Sequence, residues 1–152
     1  MCGVWGCFMF YVYGNGLSED KDILKYLRVK PTAMAAWQVY LLMTSNTVMP
    51  VFWHGGYIVR TFIFKEDDLN SIKQMKILDL SDLCKGNRLL PTVSIQTEGA
   101  NRIIADIYCC YWNNWKGLVR EHSRVVIEDS EVESYDVVDE FVYYKYDCGL
   151  RF

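Results

Sequence analysis

Histidine is the scarcest chemically useful residue in this chain. There are two, His54 and His122, in 152 residues. A weak nucleophile needs a base within hydrogen-bond reach, so a catalytic thiol or hydroxyl would have to be built on one of them. The His54-Gly55-Gly56 segment has no G-x-S-x-G elbow to accompany it, which leaves it as a turn rather than the oxyanion hole of a serine esterase. Ser18-x-x-Lys21 lacks S-D-N and K-T-G partners, and Ser18 serves as a helix cap. No C-x-x-C pair occurs, no Cys/His spacing suits zinc, and no loop fits the EF-hand pattern. The expectation is therefore no catalytic residue, no metal and no cofactor.

Charge is missing from one long stretch. Between Lys30 and Arg60 there is no Lys, Arg, Asp or Glu. Ala33 to Met43 is apolar on every side except Gln38, and a helix of that kind must lie in a core or in lipid. A spanning helix needs about 20 apolar residues, and Thr44-Ser45-Asn46-Thr47 breaks this one too early. The spacing predicts a fully buried core helix over 32–44, capped near Thr32 after Pro31. Beyond it, 48–53 and 57–64 read as a hairpin around His54-Gly55-Gly56.

The first thirteen residues are apolar but carry no positive n-region and no A-x-A-like cleavage site. They read as a buried strand, with 9–13 the extended part, rather than a targeting segment. Six cysteines, Cys2, Cys7, Cys84, Cys109, Cys110 and Cys148, are expected to be reduced in a cytoplasmic protein. A Cys/His hydrolase would need Cys109, Cys110 or Cys148 beside His54 or His122. Cys109 and Cys110 fall inside a strand, however, and only four residues follow Cys148.

What is present is abundant aromatic and apolar material: 51% apolar and 15% aromatic residues, enough for a core without staples. Two further short helices are predicted, over 19–28 and 65–75, with 77–84 a strand or an extended loop. After Pro91 the pattern turns to alternation. Val93, Ile95 and Thr97 share one side of a strand. Ile103, Ala105, Ile107, Cys109 and Tyr111 form an uncharged face opposite Asp106. Trp112 to Gly117 reads as a hairpin loop, 118–127 as a strand with mixed sides, and 141–146 as a final strand. Early helices and late strands imply an α+β fold, a single domain over 1–152, with the helices packed on a mainly antiparallel sheet.

Charge is unevenly spread. Residues 1–124 hold 14 Lys/Arg against 11 Asp/Glu, whereas 125–152 hold 2 against 8. Glu128, Asp129, Glu131, Glu133, Asp136, Asp139 and Glu140 form a block with no Lys or Arg among them. Ser130-x-x-Glu133 fits a capping box, or the block is a loop. Trp112 and Trp115 flank two amides in the expected loop. Acidic surface and aromatic anchors together suit a docking site for a basic protein partner. The leading expectation is a non-enzymatic protein-binding module, of accessory, inhibitor or immunity type, using these nine residues. The alternative is a self-associating subunit of a multi-copy, for example viral, assembly. Nucleic acid and membrane are not expected as partners.

Overall fold

The computed structural model describes residues 24–45, 60–65, 67–72 and 89–146. The strand expected over 9–13, the first arm of the 48–64 hairpin with its His54 turn, and the stretch 77–84 lie outside them. Helix α1 spans Ala33–Ser45 and helix α2 Asp67–Ser71. The strands are β1 (Thr61–Ile63), β2 (Thr92–Glu98), β3 (Arg102–Asn113), β4 (Gly117–Glu128) and β5 (Glu131–Lys145). They form one antiparallel sheet in the order β1-β3-β4-β5, with β2 also on β3. Since β4 pairs along the whole of β3, β2 and β1 share its other edge. β2 lies against Arg102 to Tyr108 and β1 against Cys110 to Trp112. Strand dominates the described residues, and α1 is the one substantial helix.

α1 begins where Thr32 Oγ1 accepts a hydrogen bond from the Ala35 amide at 3.2 Å, an N-cap that satisfies one orphan donor. Ala35, Ala36, Val39, Tyr40 and Met43 are buried against Ile103, Ala105, Ile107 and Cys109 of β3, Val125 and Ile127 of β4, and Val132 of β5. Full burial of such aliphatic side chains stabilises by roughly 1.5–3 kcal/mol each. The helix is not buried on all sides as its composition implied: Met34 is 64% exposed and Gln38 is also exposed. A helix lying on a sheet is covered along one face only, and α1 leaves the other to half-buried and exposed apolar side chains.

A second apolar cluster fills the opposite side of the sheet at the far end of β3. It joins Ile63, Leu69, Ile72, Leu89, Cys110, Trp112 and Leu118. Of the helix expected over 65–75, the described residues show α2 over Asp67–Ser71, with Leu69 and Ile72 turned inward, while 66 and 73–75 lie outside them. The 19–28 helix fails in its described part. Leu24 to Tyr26 make one 3-10 turn, and Arg28 is already extended and bridged to Glu131. The Val29 amide donates to the Ser130 carbonyl at 2.9 Å, so pairing with the β4–β5 turn overrides local helix preference.

The acidic block is neither a capped helix nor a loop. Asp129 (φ 48°) and Ser130 (φ 68°) form a two-residue turn, the left-handed geometry that matches strand twist in tight hairpins. β5 then runs unbroken for 15 residues. Its register against β4 slips three times, leaving Glu133, Val138 and Tyr143 as extra residues. Each bulge shifts the inward/outward alternation by one, which is why this stretch shows no simple period in the sequence. At the β3–β4 turn Gly117 (φ 97°) is required, since a Cβ there would lie 2.0 Å from the Tyr144 carbonyl oxygen.

Candidate functional site

β4 lies between β3 and β5, yet its middle reads Arg120-Glu121-His122-Ser123-Arg124. Five successive polar residues in a central strand place polar groups on both faces of the sheet. Each set needs partners, because unpaired buried polar groups are costly.

On the α1 side, Glu121 and Ser123 are wholly buried. Arg60 Nη1 reaches Glu121 Oε2 at 2.7 Å, and Ser123 Oγ donates to Oε1 at 3.1 Å. The Arg60 guanidinium lies 4.5 Å from the centre of the Tyr111 ring, a cation–π contact that adds to the pair. Burial alone would ease the proton off Arg60, but the Glu121 carboxylate outweighs it and holds the pKa above the ordinary arginine value. Tyr111 donates to Glu140 Oε1 at 2.7 Å, and Lys116 binds the other oxygen of the same carboxylate. The buried Tyr40 hydroxyl has no hydrogen bond of normal geometry. Burial first, then the nearby Cys109 and Glu121, push its pKa far above that of free tyrosine.

On the other face, Asp106 of β3 is the hub. His122 Nε2 lies 2.8 Å from its Oδ1, and Arg124 Nε and Nη2 reach the same oxygen at 3.0 and 2.9 Å. Burial acts to raise the Asp106 pKa, but the hydrogen bonds from His122 and Arg124 outweigh it and hold it below the usual carboxylate value. The His122 ring stacks on Tyr108 at 4.3 Å. Arg120 sits 5.0 Å from the Tyr108 ring centre and donates to the Tyr143 hydroxyl at 3.2 Å. In register, Asp136 and Asp139 of β5 stand opposite Arg124 and His122. Carboxylates of β3 and β5 thus flank His122 and Arg124 of β4.

The acids predicted as one docking face are dispersed along β5 and its turn, and several are internally paired. Glu128 and Glu133 both bind Arg102, at 2.9 and 3.0 Å. Glu131 binds Arg28 at 2.9 Å, and Asp129 accepts from Asn101 at 3.0 Å. Glu140 is held by Tyr111 and Lys116. The lack of Lys and Arg within the block concealed cations supplied by β3, by the β3–β4 turn and by the segment before α1. Trp112 is 3% exposed and packs near Tyr144 and Tyr146 with ring centroids at 6.4 and 5.1 Å. It is core, not an exposed anchor. Trp115 is half-buried, its amide bound to Asn113 Oδ1 at 2.8 Å.

Cys109 and Cys110 are buried free thiols, pushed by burial to about 12 and about 11 respectively, which disfavours the nucleophilic thiolate at neutral pH. His54 and Cys148 lie outside the described residues. No group of three or more His, Cys, Asp or Glu among the described residues is placed to hold a metal ion. No helix there is long and apolar enough to cross a membrane.

The surface that the sequence reading missed is the distal half of β5. Val137, Val138, Phe141, Val142 and Tyr144 are 38% to 59% exposed. The bulges scatter them over both faces of a strand that is the sheet's edge among the described residues, so no periodic signal marked them. Arg120 to Arg124 did carry a legible signal, an unbroken polar run inside a strand. Compared with family models, curated proteins and solved structures, the chain matches none.

Proposed function

We propose that this chain is a non-enzymatic protein-binding module, of accessory, inhibitor or immunity type, that docks through the distal half of β5. One observation carries the reading: five large apolar side chains stand exposed within eight residues of an edge strand. Val137 and Val142 stand on one face and Phe141 and Tyr144 on the other; exposed apolar surface of this kind marks interaction sites, and a sheet edge is a template for strand addition. Asp139 lies on the same strand and gives the rim a negative character that favours a basic partner. The internally paired Glu128, Glu131 and Glu133 move from contact surface to scaffold. The same reading takes residues 1–152 as one α+β domain working in the cytoplasm with its cysteines reduced.

Affinity capture of the tagged chain from its own cells tests this, in parallel with Phe141→Lys and with the triple reversal of Glu131, Glu133 and Asp136 to Lys. A stoichiometric partner lost with Phe141→Lys is the expected result. Loss only with the triple reversal would return the site to the acidic block, and retention through both variants would refute docking by this strand.

A further inference from the structure

We propose that the occupant of the distal β5 edge is a second copy of this chain, paired antiparallel with the two-fold axis at Phe141. The inference rests on the reading that this edge docks a protein, and it puts a second copy there in place of the basic partner. Among the described residues the outer edge of β5 is covered only at its start, by the Arg28 bridge to Glu131 and the Val29 amide on Ser130. Beyond that point the strand continues to Lys145 with β4 on one side.

An edge strand pairs with its own copy by a two-fold axis perpendicular to the sheet, which sets one residue against itself. Axes at Asp139 or Glu140 would bring like carboxylates face to face, which is destabilising. The axis at Phe141 sets Phe141 against Phe141, Glu140 against Val142, Asp139 against Tyr143, Val138 against Tyr144 and Val137 against Lys145. No like charges then stand opposite one another.

The bulges nearly match as well. The extra residue Val138 lies three positions before Phe141 and the extra residue Tyr143 two positions after it, so this register sets Val138 against Tyr144 and Asp139 against Tyr143. The kink at Val138-Asp139 therefore meets the kink at Tyr143-Tyr144 of the other copy. Bulges normally discourage edge pairing because they bend the strand away from a regular partner. Another β5 brings bends of its own to nearly the same levels.

Charge completes the fit. Following the register with β4, Val137, Glu140, Val142 and Lys145 are successive residues on the α1 side of β5. Lys145 of each copy then stands diagonally from Glu140 of the other, about 7–8 Å between backbones and within reach of a lysine side chain. On the opposite face, where the register places Asp139, Phe141 and Tyr144, the Phe141 and Tyr144 rings of both copies meet and bury side chains that are now 59% and 38% exposed.

Sedimentation and light scattering of the full-length chain across the micromolar range are the test. A dimer is expected, with Phe141→Lys weakening it by on the order of 100-fold, as loss of a central aromatic anchor does. Phe141 is 59% exposed in the single chain, so an unchanged circular dichroism spectrum separates lost pairing from lost folding. Phe141→Cys is expected to cross-link to itself under mild oxidation, faster than Ile95→Cys on β2 at the far side of the sheet. A strict monomer at about 100 μM, where a micromolar dimer would be nearly complete, overturns the proposal. So does a dimer indifferent to Phe141→Lys, or equal cross-linking at both positions. If the chain is monomeric but Phe141→Lys abolishes capture of a foreign protein, self-pairing falls and the docking reading stands. If neither scattering nor capture responds, both fall.

Discussion

Glu121 and His122 are neighbours in sequence, yet one is sealed beneath the α1 side of the sheet while the other keeps 18% of its side-chain surface on the opposite face. Both are held by ionic partners from elsewhere in the chain: Arg60 for the first, Asp106 for the second. The environments differ in what failure would cost. On the closed side no water replaces a lost partner, so a broken pair leaves an uncompensated buried charge. On the open side solvent screens whatever is left unpaired. The contrast shows how a central strand can carry five polar residues: complete internal pairing on one face, partial exposure on the other.

The sharpest way to break the comparison is to remove Arg60. Arg60→Ala is expected to destabilise the fold by about 3 kcal/mol, because Glu121 then loses its cation in a site with no exposed surface. The midpoint of urea unfolding would show it. Arg60→Met combined with Glu121→Leu is expected to recover most of the loss. A single variant as mild as a surface substitution would show that water reaches Glu121.

The open face predicts a smaller effect. Asp106→Ala removes the acceptor shared by His122 and Arg124, and about 1–2 kcal/mol is expected. Arg124, whose side chain is 46% exposed, can turn to solvent. An effect as large as that of Arg60→Ala would mean that the two faces are equally closed.

Acid sharpens the comparison further. Asp106 and Glu140 both have folded-state pKa values below their ordinary 3.8 and 4.5. For Glu140, burial acts to raise the value, but hydrogen bonds from Lys116 and Tyr111 outweigh it. A depressed folded value means that the unfolded chain binds more protons as pH falls. The stabilisation is therefore fully present above the ordinary carboxylate range and is lost as pH drops through the folded values. Unfolding midpoints measured from pH 6 down to pH 2 should decline below about pH 4.5. Asp106→Asn with Glu140→Gln should flatten that decline, and an unchanged slope would assign acid sensitivity to other groups.

Much of the sheet was legible in the sequence. The alternation of Ile103, Ala105, Ile107 and Cys109 identified the buried face of β3 and put Asp106 on the other side. Thr32 marked the start of α1. β5 was not legible, because its three bulges reset the period and its hairpin uses Asp129-Ser130 rather than a glycine-bearing pair. The acidic block misled for a different reason. Its cations, Arg28, Arg102 and Lys116, each lie more than 20 residues from the acid they bind and arrive only through strand pairing.

Local pattern by itself determined that α1 is an apolar helix and that the chain from Thr92 to Ile127 alternates as strands, because helix and strand periods are properties of neighbouring residues. Tertiary structure decided which charges are satisfied, which tryptophan is core, and where apolar surface remains uncovered. Each of those depends on groups distant in sequence meeting across β3, β4 and β5, and no local period encodes such a meeting.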